Sequence, residues 1–128
     1  MPLVDEKGKI WTRFWTDDLI QKIDLYQSAS ASVASGTTEV QILSYTVPSG
    51  QTLYIFDWGV VVQDYATAVW GHLRRGTTYH IYGAGNPGFS QHFNKPKIVQ
   101  SGETVYIFAW QLSGATRNVI AWFNGVLI

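Results

Sequence analysis

The chain has 128 residues, of which 46% are hydrophobic and 15% aromatic, and its nine Lys and Arg balance nine Asp and Glu. That length suits one domain, which buries about two-thirds of its unfolded surface. Zero net charge leaves no electrostatic footprint for nucleic acid or anionic lipid, the absence of cysteine excludes disulfides, and no apolar run is long enough for a membrane-spanning helix. Charged residues make up 14% of the chain, against about 25% in an ordinary soluble domain. Half of them fall in residues 1–24. The remaining body is short of surface charge, so part of its surface is expected to meet other protein. The opening MPLVDEKGK has no apolar core of the kind a secretory signal needs.

The first predicted element is KIWTRFWTDDLIQKI (9–23). Trp11, Trp15, Leu19 and Ile23 recur every four residues, with Ile10 and Phe14 beside them, which is the spacing of a wide apolar helical stripe. Thr16 is placed to cap a short helix starting at Asp17. An extended arm fits the same residues. Burying each large apolar group contributes on the order of 1.5–3 kcal/mol, while ordering the backbone costs about 1–2 kcal/mol per residue. The arm therefore needs a surface to pack on, either its own domain or a neighbouring subunit. Residues 1–20 are set apart as this arm, and 21–128 as the folded domain.

Downstream the signals are strand and turn. QKIDLYQSASASV (21–33) is a weak strand, since Ser and Ala alternate as a pleat does but have little β-propensity. TEVQILSYTV (38–47) ends at Pro48-Ser49-Gly50. TLYIFDWGVVVQD (52–64), TAVWGHLRR (67–75) and TTYHIYG (77–83) follow, and GAGNPG (83–88) reads as a long turn. FSQHFNKPKIVQ (89–100) contains Pro96, which suits an edge or a bulge. ETVYIFAWQL (103–112) and TRNVIAWF (116–123) complete eight strands, the last stopping at the turn dipeptide Asn124-Gly125. Short strands at this spacing predict a sandwich or barrel.

The chain also repeats itself. VPSGQTLYIFDW (47–58) returns as VQSGETVYIFAW (99–110), and the same offset carries Trp70 onto Trp122 and Gly36 onto Gly88. Strands one to four thus match strands five to eight. Two four-stranded halves of this kind predict an eight-stranded jelly-roll β-sandwich with an internal pseudo-repeat. Strict alternation puts Tyr54, Phe56, Trp58, Val60 and Val62 on one face and Leu53, Ile55, Asp57 and Gly59 on the other. Tyr106, Phe108, Trp110 and Leu112 likewise oppose Val105, Ile107, Ala109 and Gln111. Both faces are apolar near the strand starts, so one makes the core and the other is expected to be covered. Trp58, Trp110, Trp70 and Trp122 are expected to be structural and equivalent in the two halves.

Catalytic patterns are weak. His72, His80 and His92 form no His-x-His pair, and Glu occurs only at 6, 39 and 103, so neither a metal nor another cofactor is expected. There is no G-x-S-x-G, no cysteine nucleophile and no helix after the Gly-rich turn to cradle phosphate. No catalytic residue is assigned and the chain is expected not to be an enzyme. The aromatic content allows a sugar-stacking patch, for which Trp70, Tyr79 and Tyr82 are candidates.

The aromatic arm followed by YTVPSGQTLYIFDW, GAGNPGFS and KIVQSGETVYIFAW resembles small jelly-roll proteins of tailed phages and related prokaryotic viruses, among them capsid decoration (cement) proteins. The resemblance covers residues 38–128. It implies a structural virion protein that binds and stabilises the outer surface of an assembled capsid. Its expected partners are the major capsid protein and copies of itself in a homotrimer, with no nucleic acid and no membrane. Its expected location is the capsid surface, after assembly in the host cytoplasm. Ile10, Trp11, Phe14, Trp15 and Leu19 are then the residues expected at the protein interface. The alternative is a carbohydrate-binding jelly-roll module of a tail fibre or secreted protein.

Overall fold

The computed structural model describes residues 23–76 and 79–128. Residues 1–22 lie outside them, and with them the arm's Ile10, Trp11, Phe14, Trp15 and Leu19. The described residues form eight strands and no helix: β1 (Ile23–Val33), β2 (Gly36–Thr46), β3 (Leu53–Val62), β4 (Val69–Arg75), β5 (Tyr79–Gly85), β6 (Gly88–Val99), β7 (Thr104–Gln111) and β8 (Arg117–Leu127). They make two four-stranded antiparallel sheets, in the orders β1-β8-β3-β6 and β2-β7-β4-β5. The inner faces share one core, in the manner of a β-sandwich.

The strand order carries the sequence repeat. Pairing each of β1–β4 with the strand four places later turns the first order into β5-β4-β7-β2, which is the second order read backwards. The two copies of the Ser-Gly turn also meet. Gly50 and Gly102 have φ of 81° and 80°, a conformation glycine adopts without strain. The Gly50 amide donates to Ser101 Oγ at 2.9 Å, and the Gly102 amide to the Val47 carbonyl at 3.0 Å.

The weak strand is a full one. β1 runs eleven residues along β8, from Ile23 opposite Leu127 to Val33 opposite Arg117. Its Ser/Ala alternation works because Ala29, Ala31 and Val33 face the core while Ser28, Ser30 and Ser32 face outward. Pro96 lies on β6, an edge strand, in the stretch where pairing with β3 slips from Lys97 opposite Ile55 to His92 opposite Asp57.

Two turn expectations need correction. Asn124-Gly125 does not end β8, which continues to Leu127 with Asn124 paired to Tyr26 on one side and Asp57 on the other. Glycine is needed there because a Cβ at Gly125 would collide with the Tyr54 carbonyl. GAGNPG is not a long turn either. Gly83–Gly85 belong to β5, Gly88 opens β6, and only Asn86-Pro87 separates them. Gly83 and Gly85 leave room for the Phe89 ring and Gly88 backbone.

The face assignment of β3 is also corrected. Leu53 and Ile55 face the core, but Phe56 is an extra residue at a bulge, and beyond it Trp58, Val60 and Val62 face inward while Asp57 and Gly59 face outward. A single inserted residue reverses the pleat for everything after it. β7 has no such interruption, so Val105, Ile107, Ala109 and Gln111 stay inward and Tyr106, Phe108 and Trp110 outward. In that sheet the irregularities fall on β2, between Gly36 and Val40 and between Gln41 and Leu43. Trp58 and Trp110, matched in sequence, thus lie on opposite faces. Trp58 is fully buried, donates Nε1–H to Gln91 Oε1 at 2.9 Å and meets Phe89 edge-to-face at 5.1 Å. Trp70 and Trp122 remain equivalent, both outward.

Candidate functional surfaces

The outer face of the second sheet is built by cross-strand rows, since residues opposite one another in register share a face. One row carries Ala84, Trp70 and Trp110. The next carries Tyr82, His72, Phe108 and Gln41, and the third His80, Arg74, Tyr106 and Ser44. The Trp70 and Trp110 rings stack at 6.0 Å and 8°. Arg74 lays its guanidinium over Phe108 at 4.6 Å and Tyr106 at 5.0 Å.

His72 is 3% exposed although it points away from the core. Tyr82 stacks on its ring at 4.3 Å. Its Nδ1 donates to the Glu39 carboxylate, at 3.0 and 3.1 Å to the two oxygens. Its Nε2 is hydrogen-bonded with His80 Nδ1 at 2.8 Å. His72 is committed to both Glu39 and His80, and His92 to Asp57. Among the described residues no three His, Cys, Asp or Glu side chains converge as metal ligands.

Of the sugar-stacking candidates, Trp70 and Tyr82 do share this face, in adjacent rows. Each ring already stacks on a neighbour, Trp70 on Trp110 and Tyr82 on His72. Tyr82 is 56% exposed. Tyr79 opens β5 opposite Arg75, and its side chain lies outside the described residues.

The first sheet has a counterpart row that the sequence reading overlooked. Tyr26 on β1, Asn124 on β8, Asp57 on β3 and His92 on β6 stand opposite one another in sequence across all four strands. His92 Nδ1 and Asp57 Oδ1 pair at 2.7 Å. One row along, Trp122 lies across Gly59, where a Cβ would come within 2.7 Å of the indole. Tyr26 stacks on Trp122 at 6.4 Å and 25°. A groove of about 530 Å³ opens here, lined by Asp24, Leu25, Tyr26, Phe56, Asp57, His92, Asn124 and Gly125. Its existence depends on the Phe56 bulge, which turns Asp57 outward. Strict alternation gives no signal of it.

Among known proteins, the chain matches no family model and no curated protein.

Proposed function

We propose that this chain is a jelly-roll structural protein of a virion, a non-enzymatic cement that binds the outside of an assembled capsid. The jelly-roll reading is supported by the two strand orders, each the image of the other under a four-strand advance, as two interlocked Greek keys require. The observation that carries the functional reading is the outer face of the second sheet. Trp70, Tyr106, Phe108 and Trp110 are half-buried there, Tyr82 is exposed, and Glu39 and Arg74 are the charges placed among them. Aromatic side chains with few charges are the composition of an interface core. In this reading the face seats against the major capsid protein, and the arm reaches a neighbouring copy within a homotrimer.

Co-sedimentation with shells assembled from the major capsid protein of the same genome tests the reading. The intact chain is expected to pellet with the shells. Trp110→Ala should weaken that binding about tenfold or more, the scale of an interface hot spot. Unchanged binding by Trp110→Ala, or no binding by the intact chain, would count against it. Light scattering over a concentration series is expected to give a trimer, and a monomer at every concentration removes the cross-bracing role.

A further inference from the structure

We infer that the groove across the first sheet is a binding site for a neutral saccharide chain, independent of the capsid-facing role of the second sheet. The inference rests on what the cross-strand register brings together. Tyr26 is 61% exposed, and one face of its ring is backed by Trp122. A ring backed in this way is a platform for the C–H face of a sugar, because stacking on it orders few side-chain rotors. Beside the platform run Asn124, Asp57 and His92, one per strand. At a strand spacing of about 4.8 Å the row spans about 14 Å. Asn124 supplies amide donors and an acceptor, Asp57 a carboxylate already oriented by His92, and Asp24 a second carboxylate at the groove's end.

This donor and acceptor set selects among ligand classes. Among the described residues the lining contains two aspartates and no Lys or Arg, so phosphate, sulfate and nucleic acid meet repulsion from them. A peptide strand lying over the middle of the groove finds no free backbone groups, because β8 and β3 are interior strands paired on both sides. Vicinal hydroxyls on a neutral ring suit carboxylate and amide acceptors together with an aromatic face. The volume of about 530 Å³ lies within the usual 300–1,000 Å³ of ligand pockets. The groove is open, so an internal stretch of a longer glycan fits as well as its end.

The test uses the intact chain on a glycan array holding neutral gluco-, galacto- and mannotetraoses alongside sialylated and sulfated glycans, followed by calorimetric titration of the best neutral probe. Binding to at least one neutral tetraose is expected. Tyr26→Ala and Asp57→Asn should each weaken it about tenfold, the loss of one stacking or charged hydrogen-bond contact. Tyr82→Ala, on the opposite face, should leave it unchanged. The intrinsic tryptophan emission should shift on addition of the same sugar, since Trp122 backs the platform, a readout that needs no variant. Array binding confined to anionic glycans, no neutral binding at all, or binding lost with Tyr82→Ala and kept with Tyr26→Ala would each overturn the assignment. Shell co-sedimentation by the second sheet is unaffected by any of these outcomes, so the two readings fail separately.

Discussion

Gln111 ties together two connections that are far apart in the chain. It sits fully buried on the core face of β7, in line with Val105, Ile107 and Ala109. Its Nε2 donates to the Val33 carbonyl at 2.9 Å and the Ala115 carbonyl at 2.8 Å, and its Oε1 accepts from the Ser113 amide at 2.7 Å. The end of β1 and the β7–β8 turn are thereby held by one side chain. Leucine would fit the shape and leave the Val33 carbonyl and the Ser113 amide without this partner, a loss of about 1–3 kcal/mol for each group that is buried. Gln111→Leu is expected to lower stability by about 2–4 kcal/mol, read as a reduced urea midpoint with an unchanged slope. The position of Gln111 on the inward face is legible from alternation along β7. Its partners are not, because Val33 is seventy-eight residues away and nothing in a local pattern names it.

At the scale of the element, the Phe56 bulge decides most. The aromatic repeats TLYIFDW and TVYIFAW are nearly interchangeable as text, and both begin with Tyr outward and Ile inward. After Phe56 they diverge. Trp58 enters the core, and Asp57 and Gly59 turn to the surface, where Trp70's counterpart Trp122 lies over Gly59 rather than over a second tryptophan. Deleting Phe56 removes the extra residue, so strict alternation then keeps Ile55 and Trp58 inward and Asp57 outward. The deletion is therefore expected to keep a cooperative urea transition and native-like tryptophan emission. A deletion variant that loses its cooperative transition and near-ultraviolet circular dichroism, with red-shifted emission, would refute the role given to the bulge.

Across the whole molecule, the order of the strands sets how it folds. β8 lies between β1 and β3, and β7 between β2 and β4, so each sheet closes only when the last quarter of the chain arrives. Removing residues 117–128 strips the inner partner from both β1 and β3 and takes Val119, Ala121 and Phe123 out of the core. That truncation is expected to give no folded protein by heteronuclear NMR. Long-range pairing of this kind also predicts slow folding, in the range of milliseconds to seconds by stopped-flow fluorescence. A microsecond phase carrying the full amplitude would contradict it.

The sequence by itself determined the all-β class, the eight strands and their repeat, because strand periodicity, turn residues and β-branched content are local properties written within a few residues. It also placed Pro96 at an edge or bulge. Tertiary structure alone decided which aromatic rings are core and which are surface, since one extra residue at Phe56 inverts the pleat and its place is fixed by pairing with β6 and β8. It alone turned Asn124-Gly125 from a turn into strand, because the need for glycine there comes from the Tyr54 carbonyl on β3. The row of Tyr26, Asn124, Asp57 and His92 belongs to the same category. Four residues spread over nearly a hundred positions become neighbours only through strand register, a long-range quantity that no short window of sequence contains.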